Sequence, residues 1–204
     1  MPSEVVLSQL SSLNLPDAVE YALVTPPNYN DSGPLPLCII LMGGGGSRQS
    51  LIDCRPLFEA WWADGSLVPM IFATPSAGMS YYVEDPASGV RWESFLLQDF
   101  IPLLRSTYKV RTTAITGISM GGYGALKIAF AHPEQFAAVA AMNPMMEPGY
   151  ADAVAAQDGR LLAAAFICKV QPQLLAFRRT KTENVAYFGR FYFFQPVPLQ
   201  PQLS

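Results

Sequence analysis

Charged residues, histidine and cysteine are all scarce in this sequence of 204 residues. Charged side chains make up 14% of the chain and the formal net charge is -3. With no cluster of lysine and arginine, this balance argues against nucleic acid as a partner. The three cysteines, Cys38, Cys54 and Cys168, are an odd number without a C-x-x-C pair, so neither a disulfide framework nor a zinc site is indicated. No cofactor or metal motif is found, and the chain contains one histidine, His132.

Long hydrophobic runs are also missing. The longest apolar stretches, around Leu37–Met42 and Leu161–Cys168, are far shorter than the ~20 residues that span a bilayer. The segment Met1–Leu10 contains Glu4 and lacks the apolar core of a secretory signal. We therefore expect a cytoplasmic protein with no membrane partner. Since 50% of the residues are hydrophobic, the chain can bury the core of one domain, and disorder throughout is excluded.

The first 150 residues alternate between strand-like and helix-like patterns. This rhythm predicts an α/β fold with a mostly parallel sheet and helices on both faces. Ala18–Val24, which ends at Thr25-Pro26-Pro27, predicts an edge strand. Apolar runs predict buried strands at Leu35–Met42, Val68–Thr74, Thr113–Ile118 and Phe136–Met142. The predicted helices are Leu51–Ala63 with Pro56 as a kink or true start, Trp92–Tyr108 with Pro102 inside it, and Met120–Ala131.

The charge changes sign along the chain. Residues 1–155 hold 7 of the 13 basic and 14 of the 16 acidic residues, so the remaining 49 residues are basic overall. From Arg160 onward no strand–helix pair with turn chemistry is found. We therefore divide the chain into a core at 1–155 and a basic, aromatic tail at 156–204, and we expect the tail to be poorly ordered.

The segment with the clearest chemistry is a serine between two glycines. Gly117-Ile118-Ser119-Met120-Gly121 has the pattern G-x-S-x-G and lies directly between a predicted strand and a predicted helix. In this context the pattern indicates a nucleophile elbow, a sharp turn that lifts the serine above the sheet edge, with Met120 N–H as one oxyanion donor. The alternative is a serine that caps a helix beside glycines that allow close packing.

A second glycine-rich segment follows the strand Leu35–Met42. Gly43 to Gly46 let the backbone approach a ligand closely and present N–H groups to a developing negative charge. In hydrolases of this architecture a loop here supplies the other oxyanion donor. A phosphate-binding loop is the rival, but Ser47-Arg48 follow in place of Gly-Lys-Ser/Thr, and a flexible surface loop is the third possibility.

From about Val24 to Pro148 the chain resembles the putative-esterase family of α/β-hydrolases, which groups esterase D (S-formylglutathione hydrolase), acetyl-esterases and mycolyltransferases. The matching segments are the glycine loop, Trp92 to Leu96, Gly117 to Ala125 and His132 to Phe136. The resemblance implies a serine esterase that hydrolyses a small carboxylic ester or thioester through an acyl-enzyme. It implies Ser119 as nucleophile, and Met120 with Gly45 or Gly44 as the oxyanion hole, with Gly117 and Gly121 shaping the elbow.

The sequence departs from that family after Pro148. In this fold the chain order is Ser, then Asp/Glu, then His, and neither the acid nor the histidine of the family is found in its expected place. His132 follows Ser119 by 13 positions on one predicted helix, about 20 Å away, so it cannot be the base and no general base is assigned. Activity should therefore be impaired.

Three alternatives remain open beside the hydrolase. The chain could transfer acyl groups as mycolyltransferases do, could be an inactive truncated fragment, or could serve as a binding module. With the later strands of the family missing or replaced, Phe136–Met142 would lie at an open sheet edge, where self-association is expected.

Overall fold

A computed structural model of the chain describes residues 2–145 and 192–194. Within these residues a seven-stranded mixed sheet has the order β1-β2-β4-β3-β7-β8-β9, beside a small two-stranded ribbon, β5-β6. The strands are β1 (Glu4–Leu10), β2 (Val19–Thr25), β3 (Leu35–Leu41), β4 (Ile71–Pro75), β5 (Glu84–Asp85), β6 (Val90–Arg91), β7 (Val110–Ile118), β8 (Ala138–Met142) and β9 (Tyr192–Phe194). The centre, β4-β3-β7-β8, is parallel, as the strand–helix rhythm predicts.

The helices are α1 (Arg48–Asp53), α2 (Arg55–Ala63), α3 (Trp92–Ser94), a π-helix (Phe95–Phe100), α4 (Ile101–Thr107) and α5 (Met120–Ala131), with short 3-10 helices at Tyr29–Asp31 and Pro133–Gln135. They cover both faces of the sheet. The buried apolar residues form two separate clusters, one on each face, and alternate residues of β2 point into different ones. Leu23 packs in the cluster that includes α3, α4 and α5, whereas Ala22 and Val24 pack in the cluster that includes α1 and α2. No helix in the described part of the chain is long and apolar enough to cross a membrane.

Two of the predicted helices are divided. The segment predicted as Leu51–Ala63 forms α1 and α2, which meet at Cys54, and Pro56 lies in the first turn of α2. Proline is tolerated there because its missing N–H would have no intrahelical partner. The segment predicted as Trp92–Tyr108 is interrupted by the π-helix, and Pro102 likewise lies in the first turn of α4.

The prediction of an edge strand at Ala18–Val24 is wrong. The observed β2 lies inside the sheet and pairs antiparallel with both β1 and β4. Strand β1 takes the edge instead, and its residues are all exposed or half-buried, as suits an outer strand with one partner.

The expectation of an unpaired edge at Phe136–Met142 also needs correction. Strand β9 pairs antiparallel with Val139–Ala141 of β8, so a short strand from the tail occupies this edge. The sequence pattern after Arg160 did not indicate this strand, because it consists of only three aromatic residues that form three ladder pairs. The rest of the 156–204 tail, and the expectation that it is poorly ordered, lie outside the described residues.

Candidate active site

Ser119 lies at a sharp turn between the central strand β7 and helix α5. Its backbone has φ 53° and ψ −118°, a conformation that non-glycine residues rarely adopt. Three backbone hydrogen bonds hold it: Ser119 N–H donates to Met142 C=O at 2.9 Å, and its own C=O accepts from the N–H groups of Tyr123 at 3.1 Å and Met145 at 3.0 Å. Strain of this kind persists only where the surroundings fix the backbone, which is common at functional sites.

The two glycines of the motif are required by close backbone contacts. A Cβ atom on Gly117 would overlap the carbonyl of Gly121 and lie 2.8 Å from the N atom of Gly122. A Cβ on Gly121 would overlap the carbonyl of Leu41 and lie 2.7 Å from the O atom of Met42. The turn therefore packs directly against the end of β3, where only hydrogen atoms fit between the two backbones.

Helix α5 begins at Met120, immediately after the serine. The first N–H groups of a helix have no intrahelical acceptor, and the helix dipole places partial positive charge there. The N–H of Met120 is one of these groups. Met120 is buried, with 1% of its surface exposed, and the Met120 sulfur accepts a hydrogen bond from Tyr81 N–H at 3.3 Å.

The glycine segment after β3 forms a tight turn beside Ser119. Gly46 N–H donates to Gly43 C=O at 2.9 Å, and Gly45 has φ 78°, as the third residue of a type II turn requires. The N–H groups of Gly44 and Gly45 take no part in this turn hydrogen bond. A Cβ placed on Gly43 would lie 3.4 Å from the Cβ of Ser119, so the structure brings the loop and the serine together.

His132 lies at the other end of α5. It caps the C-terminus of the 12-residue helix that Ser119 precedes, about 18 Å along the axis. Its Nε2 atom is 3.0 Å from Oε1 of Glu93, and Lys127 Nζ donates to the other carboxylate oxygen. Burial raises the pKa of Glu93, but the hydrogen bonds and charges of Lys127 and His132 outweigh it and leave the pKa below its ordinary value. His132 is thus held in an ion-pair cluster away from the serine.

Sequence reasoning missed the segment that packs over the glycine loop. Tyr82, which is fully buried, donates its hydroxyl to Met42 C=O at 3.1 Å, and its ring fills the space that a side chain on Gly124 would occupy. Both Tyr81 and Tyr82 have positive φ, 52° and 54°. Nothing in the amino-acid types indicates this, because positive φ at tyrosine is imposed by tertiary contacts. Within the described residues no group of three or more His, Cys, Asp or Glu could hold a metal ion.

A mostly parallel sheet with helices on both faces and a strained serine between strand and helix define a protein of the α/β-hydrolase class. Solved structures of this class confirm the fold. A ferulic acid esterase superposes with a TM-score of 0.63 at 27% identity, covering 68% of this chain and 59% of its own. An S-formylglutathione hydrolase from Agrobacterium tumefaciens gives a TM-score of 0.60 at 20% identity, covering 73% of this chain and 60% of its own.

The family model described as "Putative esterase" matches residues 12–184, and the chain belongs to that family. Among its relatives is the diacylglycerol acyltransferase/mycolyltransferase Ag85A of Mycobacterium leprae, 33% identical over 105 residues, which are 46% of this chain and 31% of that protein. The resemblance derived from the glycine loop and the G-x-S-x-G motif is confirmed. The chain thus matches about a third of the length of this relative.

Proposed function

We propose that the chain is a serine esterase in which Ser119 attacks the carbonyl carbon of a small ester or thioester. The attack forms an acyl-enzyme and releases the alcohol or thiol, and water then hydrolyses the acyl-enzyme to the carboxylic acid. The observation that carries this proposal is the backbone of Ser119, which is strained and fixed by three hydrogen bonds beside the glycine turn. A serine that only capped a helix would gain nothing from such strain.

The proposed oxyanion hole joins two segments. Met120 N–H, at the start of α5, is one donor, and Gly45 or Gly44 in the type II turn supplies the other. The contact between Gly43 and the Ser119 side chain supports this assignment, because it brings the turn next to the serine. Gly117 and Gly121 are the elbow glycines, since both sites exclude a Cβ atom.

The acyl group is proposed to be apolar. Three exposed hydrophobic side chains adjoin the serine or the glycine turn: Met79 (66% exposed), Ile118 (38%) and Met145 (41%). Ile118 directly precedes Ser119, and Met145 N–H donates to the carbonyl of Ser119. The Met79 sulfur packs on Gly44 of the glycine turn. An acyl chain of a few carbons would remove this apolar surface from water.

We further propose that the protein acts in the cytoplasm, which the free thiols of Cys38 and Cys54 support.

The hydrolase is expected to be slow. A serine hydroxyl becomes a good nucleophile only when a base accepts its proton, and the single histidine of the sequence is held at the far end of α5 by Glu93. Removal of one triad member still leaves ~10³–10⁴-fold catalysis over water from the oxyanion hole and binding. Because of the His132 position, a catalytically incomplete chain that only binds acyl esters is the second candidate. Acyl transfer, which the likeness to the acyltransferase Ag85A supports, is the third, with a sugar as the acceptor we propose.

The deciding experiment compares the wild-type chain with Ser119→Ala on p-nitrophenyl acetate and p-nitrophenyl butyrate. We expect slow turnover that Ser119→Ala abolishes, with a higher kcat/KM for butyrate because of the apolar rim. A turnover that is identical in the two proteins would refute the esterase and favour the binding chain. If p-nitrophenol is released faster when a sugar alcohol is added and a sugar ester forms, acyl transfer is the better description.

A further inference from the structure

The segment 76–83, which follows β4, contacts Gly44 of the glycine turn and residues on either side of the turn. Before the turn, Tyr82 hydroxyl donates to Met42 C=O at 3.1 Å. Within the turn, the Met79 sulfur lies 2.6 Å from where a Cβ of Gly44 would be. After the turn, Ser76 Oγ accepts from the N–H of Arg48, the first residue of α1, at 2.9 Å. Such a set of contacts restrains a loop that has no side chains of its own to pack.

The same segment also reaches the second proposed oxyanion donor. Tyr81 N–H donates to the sulfur of Met120 at 3.3 Å, which restrains the buried side chain of the residue whose N–H is proposed as this donor. Further along α5, the Tyr82 side chain lies against Gly124, where an added Cβ would be 2.7 and 3.0 Å from the ring atoms Cδ2 and Cγ and 2.9 Å from the Tyr82 Cβ. Tyr82 therefore spans the space between the start of the glycine turn and the helix that begins after Ser119.

The backbone of the segment is strained to make these contacts. Tyr81 and Tyr82 follow one another with φ of 52° and 54°, a region where a non-glycine residue is held only by its surroundings. Tyr82 has no exposed surface, so its hydroxyl needs the Met42 carbonyl as a partner. Simple filling of the core would be achieved by phenylalanine, without the hydroxyl and without two strained residues.

We propose that Tyr82 is a positioning residue that holds the glycine turn and α5 at the separation the oxyanion hole requires. This inference rests on the proposed function, because it assumes that Gly45 or Gly44 and Met120 donate to the same oxygen. Tyr82 is buried and contacts no substrate; it acts through the carbonyl of Met42 and the backbone of Gly124. Small displacements of donors in a preorganised site are known to cost large factors in rate.

Two substitutions perturb this bridge from opposite sides. Tyr82→Phe removes only the hydroxyl, and Gly124→Ala pushes the ring away from α5 while it favours the helix through alanine's higher propensity. The control is Tyr29→Phe, which removes a hydroxyl that accepts from Lys109 N–H at 2.7 Å, close to the N-terminal end of β3. If Tyr82→Phe fails to fold, Gly124→Ala alone tests the proposal.

The first readout does not depend on activity. Hydrogen exchange of the full chain, followed by NMR, reports the amides of Gly46 and Arg48, which bond to Gly43 C=O and to Ser76 Oγ. We expect both to exchange about 10-fold faster in Tyr82→Phe and Gly124→Ala and to be unchanged in Tyr29→Phe. Unchanged exchange in both site variants would overturn the inference, whether or not the chain is an esterase.

The second readout is the rate of p-nitrophenyl butyrate hydrolysis that depends on Ser119. We expect kcat to fall about 10-fold in both variants with KM unchanged, because the donors move and the acyl surface does not. A raised KM at constant kcat would contradict a positioning role. Turnover that survives in Ser119→Ala would refute the proposed function alone, since the exchange result still decides whether Tyr82 holds the loop.

Discussion

The substitution Gly121→Ala tests the close packing of the serine turn against β3. A Cβ at this position would overlap the backbone carbonyl of Leu41 and lie 2.7 Å from the Met42 oxygen, shorter than real Cβ contacts. Leu41 is the last residue of β3, a central strand between β4 and β7, and is fully buried, and Met42 follows it directly. Because backbone atoms cannot rotate away as side chains do, either α5 or the strand must shift.

The expected cost follows from this overlap. Forcing extra atoms into a packed core typically costs about 1–3 kcal/mol, and a clash with backbone on a central strand belongs at the upper end. Alanine regains up to ~1 kcal/mol of helix propensity, less in the first turn of a helix. We therefore expect Gly121→Ala to lower the free energy of unfolding by about 2–3 kcal/mol, a large part of the roughly 5–15 kcal/mol that such domains have.

Gly122→Ala is the matched control for this prediction. A Cβ on the neighbouring glycine would lie 3.1 Å from Pro144 Cα and 3.2 Å from Gly117 O, distances that shifts of a few tenths of an ångström relieve. Its net cost should stay below ~1 kcal/mol, since strain and helix propensity oppose each other. Urea denaturation followed by circular dichroism measures both variants. Equal unfolding free energies for the two would refute the claim that Gly121 is required by backbone contact.

Three further outcomes follow from the site. A fluorophosphonate probe should label Ser119 slowly at neutral pH, and added imidazole should accelerate labelling by supplying a base; fast labelling without imidazole would contradict a missing base. Gly45→Val should reduce Ser119-dependent activity ~10²–10³-fold with the fold intact, because nothing lies within 4 Å of the new Cβ while φ 78° disfavours valine, and unchanged turnover would remove Gly45 from the site. Glu93→Gln should destabilise the chain by about 1 kcal/mol at pH 7 in urea titrations through weakened pairing with Lys127 and His132. Since the pKa of Glu93 is lowered on folding, this difference should persist above pH 5 and shrink as the pH falls below 4.5, the ordinary pKa of a glutamate; a difference that grows on acidification would refute it.

The central fold could be predicted because its signals are local. Buried parallel strands are continuous apolar runs, and β3 and β7 were found within a few residues of their observed ends. The serine turn was also accessible, since glycine spacing and the change from strand to helix both appear in the sequence. Helix α5 begins and ends at the predicted residues, Met120 and Ala131.

Elements that depend on distant partners were missed. Strand β1 is identified by its pairing with β2, and β9 by its pairing with β8, because the run of three apolar residues in each is too short to indicate a strand by itself. The proposed role of Tyr82 depends on Met42 and Gly124, each about 40 positions away in the chain, so no local sequence pattern predicts it. The oxyanion residues, and the lack of a general base, are still predictions from motif and resemblance.

The π-helix at Phe95–Phe100 bears on where homologous chains tolerate the insertion or deletion of one residue. Its i→i+5 geometry brings Phe95 and Phe100 into a stack, with ring centroids 5.9 Å apart and planes 16° from parallel. Such a turn is an α-helix that has absorbed one extra residue, and Gln98 lies on its exposed side. In a homologue that is one residue shorter here, this segment should form a regular α-helix, and the serine turn should be unchanged. Between Leu41 and Gly46, the carbonyls of Leu41 and Met42 pack on Gly121 and Gly46 N–H closes the turn on Gly43 C=O, so a gain or loss of one residue would displace the glycine turn itself.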